Sequence, residues 1–277
     1  MQILSGPISI HPKSVLSEVK AAGLGNLIQY LDVLYAQAFF ANCEYGILHA
    51  LDEASDKYQK QLECAGCFFS VSRMALQESL FMNCARLYDK KGEVSLYGLL
   101  DCCRELEQKI SGRAVELYSK RPGFDPARPV RHFLKDSEER FYRDEVRSQR
   151  AFDFLADGAW KFPAELRLSV NELLDLFGKR MNGMSKTTDM LREQRNRIYA
   201  HSGMESLNYD AFAEENGLTI GQVADLISCA LDITGEIYAL ITGICRPPEA
   251  GNVNDIEGLL RLTKLGWDTV NKHAVGE

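Results

Sequence analysis

The sequence predicts an all-α protein, and three observations carry that prediction. Apolar residues recur at intervals of three and four over long stretches, the period of a helix face. Capping residues open several of these stretches, and glycine or proline closes them. No stretch alternates apolar and polar residues over strand length, and no internal repeat or low-complexity tract is present.

In chain order, Met1–Pro12 reads as an arm, and Ser14–Ala22 as a short helix before the punctuation of Gly23 and Gly25. From Asn26, a suitable N-cap, Leu27, Tyr30, Leu31, Leu34, Tyr35, Ala38 and Phe39 keep helical spacing. They predict a long amphipathic helix to about Leu51. Asp56–Cys64 is more polar and either continues that helix or connects it to the next. A second long helix is expected over Gly66–Asp89, with Phe69, Leu76, Leu80, Ala85 and Leu87 among its apolar residues. Lys90-Lys91-Gly92 makes a turn, and Ser95 is placed to cap a helix over Leu96–Ile110.

Between Arg113 and Asp157 the character changes. Lys120–Pro129 holds three prolines in ten residues and reads as a loop. Arg140, Arg143, Arg147 and Arg150 then fall on one helix face and could follow a phosphate backbone. Asp136 and Glu139 each precede an arginine by four, so a solvated, ion-paired face carries more weight. Pro163 suits the first turn of a helix with Leu166, Val170, Leu173, Leu174 and Phe177, closed by Asn182-Gly183. Ser185 or Thr187 caps the next, which runs through Met190, Leu191 and Ile198 to His201. Thr219 with Gln222 forms a capping box for Ile220–Cys245, and Pro247-Pro248 stops that helix. Ile256–Val270 reads as a last amphipathic helix, packed on the core or on a partner.

Composition bounds the function. The chain has 277 residues, 45% hydrophobic and 26% charged, the profile of a soluble globular protein. Its formal net charge of −7 argues against bulk, non-specific nucleic-acid binding and leaves room for a local basic cleft. The first residues lack a basic region followed by an apolar run, so no secretory signal is visible and a cytoplasmic location is expected. The eight cysteines are then reduced core residues. Cys64-x-x-Cys67 is the one metal-like pair, and with no second pair at zinc spacing the core reading outweighs zinc or redox chemistry. The most apolar stretch, Ile220–Cys245, is interrupted by Asp225, Asp232 and Glu236, which makes it a buried helix and not a membrane span.

The chemistry concentrates in Leu191–Gly203, LREQRNRIYAHSG, where Arg192, Arg195, Asn196, Arg197 and His201 fall within ten residues. Histidine exchanges a proton near neutral pH. The arginine fork matches phosphate oxygens, and Asn196 offers an amide donor and an acceptor. This set suits attack of an RNA 2′-hydroxyl on its neighbouring phosphate, with Arg195 stabilising phosphoryl charge and His201 moving a proton. It requires no metal or cofactor. On a continuous α-helix Arg195 and His201 would stand roughly 120° apart, whereas Arg197 and His201 share a face. A frayed or tightened last turn would bring Arg195 and His201 together. The competing reading is a histidine at the helix C-terminal dipole, with Arg197 in solvent.

Arg195-Asn196, four residues, then His201 resembles the Arg-polar-x4-His signature of HEPN domains, all-α proteins that are often metal-independent ribonucleases. The string RNRIYAH is similar to the RNK/RDK…AH form of the AbiU2-like branch of abortive-infection HEPN proteins. A second stretch, Cys84–Leu100 (CARLYDKKGEVSLYGLL), resembles that branch's ARL-x-D…SL-x-x-LL pattern. The chain departs at Gly203, where related sequences often carry an acid.

The resemblance implies a HEPN-like bundle of long antiparallel helices over 26–245, with a Pro-rich loop and helical insertion at 113–160. An N-terminal arm and short helix (1–25) precede it, and a C-terminal helix (246–277) would pack on the same domain. It implies a homodimer with the site at its interface, Arg195, Asn196 and His201 as the catalytic set, and RNA contacts from Arg192, Arg197 and Arg86. It also implies a setting in phage defence or a toxin–antitoxin system, with an antitoxin protein as a further partner. Two functions from different classes stand: a metal-independent endoribonuclease, and a non-catalytic HEPN-like module that binds RNA or protein. A small-molecule enzyme has little support, since no phosphate-binding glycine loop or nucleophile elbow is present.

Overall fold

The computed structural model describes residues 12–119, 170–196, 217–244, 246 and 255–274. Among these residues the regular structure is helical and no strand occurs, as the periodicity predicts. The helices are α1 (Lys13–Ala21), α2 (Gly25–Ala54), α3 (Gln59–Cys64), α4 (Gly66–Leu87), α5 (Leu96–Glu105), α6 (Glu107–Ser119), α7 (Val170–Gly183), α8 (Ser185–Gln194), α9 (Ile220–Thr242) and α10 (Asp255–Ala274). No described helix is long and apolar enough to cross a membrane. The chain forms two compact units. The first takes Met1–Ala36, Arg86–Thr188 and Ser228–Pro248, and the second takes Gln37–Ala85, Asp189–Ile227 and Glu249–Glu277.

In the first unit α1 ends in a Schellman motif. Gly23 N–H donates to the Lys20 carbonyl at 3.0 Å, and Leu24 N–H to the Val19 carbonyl at 3.1 Å. Gly23 has φ +74°, a conformation that favours glycine. Leu24, fully buried, then accepts from the Ile28 N–H, so α2 starts one residue before Asn26. Asn26 is therefore a first-turn residue and not the cap. Along α2, Leu27, Ile28, Leu31 and Leu34 are wholly buried in this unit.

Tyr30 ties α2 to the start of α5. Its hydroxyl accepts from the Ser95 N–H at 3.0 Å and lies 3.0 Å from the Glu93 carbonyl, to which it donates. Burial pushes the Tyr30 phenol up from its ordinary value, against the lowering effect of the Ser95 backbone bond. Ser95 caps α5 as predicted, its hydroxyl accepting from Gly98 N–H at 3.2 Å. The expected single helix over Leu96–Ile110 is two helices. Leu106 breaks the run with φ −99° and ψ 9°. The bend lets α5 and α6 both pack on α7. α6 extends to Ser119, six residues beyond Arg113, where the sequence suggested a change.

Buried charge joins the elements of this unit. Arg113, almost fully covered, pairs with Glu18 and Glu116 at 2.6 Å each, and its Nε donates to the Ile241 carbonyl at 3.1 Å. Arg180 on α7 pairs with Asp232 on α9 at 2.5 Å, which accounts for one acid within the most apolar helix. Arg246 lies over the Tyr238 ring at 3.7 Å and the Tyr35 ring at 4.5 Å, and pairs with Asp32. The end of α9 departs from expectation. It stops at Thr242, because Gly243 at φ +76° turns the chain before the prolines are reached.

In the second unit α2 and α4 are joined around Glu44. Its carboxylate accepts from Ser79 Oγ at 2.5 Å and from Asn83 Nδ2 at 3.1 and 3.3 Å. Ala54, Tyr58 and Leu260 form a small core, with Leu62, Phe69 and Ile256 against it. This cluster seats α10 on α3. Leu260 is its one fully covered leucine, worth roughly 1.5–3 kcal/mol, while Leu259, Leu262, Leu265 and Trp267 stay exposed.

The cysteine reading is corrected in part. Cys84, Cys103 and Cys229 are buried as expected, but Cys64 and Cys67 are exposed and are not core residues. They flank the α3–α4 joint, whose inward positions are taken by Leu62 and Phe69. The Arg140–Arg150 stripe, the Pro163 helix start and Pro247-Pro248 lie outside the described residues.

Candidate functional site

The motif begins on α8, in the second unit. Neither Ser185 nor Thr187 caps this helix, because α7 and α8 meet at Met184 with little interruption. Thr188 N–H donates to the Met184 carbonyl at 2.9 Å, and Thr188 Oγ1 to the Ser185 carbonyl at 2.9 Å. Thr188, Leu191 and Gln194, spaced by three, form its buried face. Arg192 lies outside that face. Exposed, it pairs with Asp189 at 3.0 Å, three residues back.

After Gln194 the backbone changes. Arg195 and Asn196 are π-helical, a turn wider than the α-helix that precedes it. The frayed or tightened last turn expected before His201 lies outside the described residues. The angular argument for a continuous helix does not extend beyond Gln194.

The wide turn brings the first two motif side chains together. Arg195 Nε and Nη2 both donate to Asn196 Oδ1, at 3.1 and 3.0 Å. Both residues are half-buried. The acceptor on Asn196 is a neutral carbonyl oxygen, and its two bonds hold the guanidinium plane. The sequence reading treated Asn196 as a general donor and acceptor, but its acceptor is engaged in orienting Arg195. The pair can present a directed positive charge to an anionic oxygen.

The remaining predicted residues divide between two groups. His201, Arg197 and Gly203 lie outside the described residues. Arg86 is exposed at the last turn of α4 and belongs to the first unit. Asp189, the partner of Arg192, was missed by sequence reasoning although its three-residue spacing is the signal that identifies such pairs. Glu44 was missed too, and its signal is weaker: a lone acid in the apolar run between Asp32 and Asp52 of α2.

Residues 24–262 match the AbiU2 family of HEPN domains, and the chain belongs to that family. No curated protein and no solved structure matches it.

Proposed function

We propose that this protein is a metal-independent endoribonuclease of the HEPN type, acting in phage defence or as the toxin of a toxin–antitoxin pair. The 2′-hydroxyl of RNA attacks the adjacent phosphorus, and the bond to the 5′-oxygen of the next nucleotide breaks. The products are a 2′,3′-cyclic phosphate, or the 3′-phosphate from its hydrolysis, and a free 5′-hydroxyl. Arg195 stabilises charge on the non-bridging oxygens, Asn196 aims Arg195, and His201 moves the proton. Arg192, Arg197 and Arg86 hold the RNA. Two copies place both motifs along one cleft, and an antitoxin protein restrains them. The observation that carries this reading is the clasp of Arg195 on Asn196 at the π-helical turn, inside a family match that continues through His201.

The test is RNA cleavage in EDTA by wild type, His201→Ala and Arg195→Ala, each first checked for folding and oligomeric state. Wild type should leave cyclic-phosphate ends, and each variant should lose roughly 10²–10³-fold in rate, the scale for removing one stabiliser of transition-state charge. Equal cleavage by all three would mean contamination and end the proposal. A second reading, a non-catalytic RNA- or protein-binding module, draws on Gly203 in the place where related sequences often carry an acid. It predicts that His201→Ala alters stability or assembly in a protein that has no turnover.

A further inference from the structure

The second unit contains a cavity of about 190 Å³ that the cleavage chemistry does not use. Its floor is apolar, made by Leu48 of α2, Leu80 and Phe81 of α4 and Val223 of α9. Leu218 and Ile220 complete one wall, on the chain that follows the motif segment into α9. Ile220 is 58% exposed and keeps that wall open to solvent.

The rim is polar. Tyr45, His49 and Asp52 come from successive turns of α2, and Arg73 and Gln77 from adjacent turns of α4. The Arg73 and Asp52 charges are paired within the rim. Arg73 bonds Asp52 at 2.6 Å, and His49 Nδ1 lies 3.5 Å from Glu53. Such a cavity has no uncompensated cation for a phosphate and no cluster of anions for a metal ion. The Gln77 amide and the Tyr45 hydroxyl belong to the same lining. The Tyr45 and His49 rings lie 6.0 Å apart at 34°, a two-ring edge beside the apolar floor.

A flat, uncharged group rimmed with hydrogen-bonding atoms fits these features. We infer that the cavity is a subsite for one unpaired base of single-stranded RNA. The base rests on the apolar floor beside Tyr45, and the Gln77 amide reads its edge as donor and acceptor. This rests on the ribonuclease reading for its choice of RNA. It assigns to the second unit a base contact that the arginines, which meet only phosphate, cannot supply.

The probe is a 2′-O-methyl single-stranded RNA carrying 4-thiouridine, which has no free 2′-hydroxyl and so reports binding apart from cleavage. Photo-crosslinks should map to 45–52, 73–81 or 218–223. Uridine and adenosine 5′-monophosphates should compete, while ribose 5-phosphate should not. Tyr45→Ala and Gln77→Leu, each with an unchanged circular dichroism spectrum, should weaken RNA binding roughly tenfold or more. Crosslinks only elsewhere, unchanged binding in both variants, equal competition by ribose 5-phosphate, or no binding at all would each overturn the subsite. Crosslinking at the cavity together with no cleavage by wild type in EDTA would reject the ribonuclease and leave the subsite standing.

Discussion

Arg195 is held by a neutral acceptor, and that choice has consequences that substitution can expose. A carboxylate at position 196 would grip the guanidinium more tightly and cancel its charge. Asn196→Asp should therefore cleave RNA more slowly than Asn196→Ala, which loses the aim of Arg195 but keeps its charge. A single-turnover rate for Asn196→Asp equal to that of wild type would refute the orienting role. Arg195→Lys tests the same geometry from the other side. Lysine keeps the charge without the planar fork, so its rate should fall much closer to that of Arg195→Ala than to wild type. Glu44 offers a residue-scale prediction on stability. Burial raises its carboxyl pKa, and the bonds from Ser79 and Asn83 only partly oppose this. A folded-state pKa above the unfolded one gives stability that is full below the unfolded pKa and is lost as pH rises through the folded pKa. Glu44→Gln, which keeps the acceptor oxygen, should raise the melting temperature near neutral pH. Its advantage should shrink as the pH falls towards the ordinary carboxyl range. A constant difference across that window would exclude ionisation of Glu44 as the cause.

At the scale of elements, the Tyr30–Ser95–Gly98 corner fixes how α2 meets α5. A Cβ on Gly98 would stand 2.5 Å from the Tyr30 hydroxyl, closer than real side chains come. Gly98→Ala should cost about 1–3 kcal/mol in chemical denaturation, and pairing it with Tyr30→Phe should recover part of that loss. Recovery of nothing would place the clash elsewhere. The corner was half legible in the sequence, since a serine before an apolar run signals a cap, but the approach of Tyr30 from a helix some 65 residues away does not. The same division runs through the chain. The reciprocal bonds of Thr219 and Gln222, at 2.9 and 3.2 Å, were readable because both partners lie within one turn. The extents of α2 and α4 were readable because apolar residues run along both between recognisable breaks. The bend at Leu106 and the near-continuous joint at Met184 were not, because packing against other helices sets them. Nor was the exposure of Cys64 and Cys67, since identity and spacing do not say which side of a joint faces solvent. These two thiols should alkylate first in the native protein. Cys84, buried and with its thiol pushed up to about 12, should react only on unfolding. Mass mapping of a timed iodoacetamide reaction checks the order.

For the whole molecule, the formal charge of −7 sets how RNA is attracted. A protein with a broad basic face neutralises many phosphates, and its affinity falls steeply with salt. Here the proposal places four arginines per copy on RNA, Arg86, Arg192, Arg195 and Arg197, and the salt bridge of Arg192 with Asp189 takes that cation out of the count. For single-stranded RNA each neutralised phosphate contributes about −0.7 to the slope of log affinity against log salt. One motif therefore predicts a slope of about −2, and two motifs sharing one cleft in a dimer about −4. The dimer proposed above commits to the steeper value, and to its return to the shallower one at protein concentrations where sedimentation shows the copies separated. Affinity of an uncleavable 2′-O-methyl RNA, measured across a salt series at both concentrations, decides the matter. A shallow slope at both would leave each copy acting alone. A slope much steeper than about −4 would require cations beyond the motif. The arginine stripe at 140–150 would then be the first group to substitute, since its ion-paired reading predicts no contribution at all.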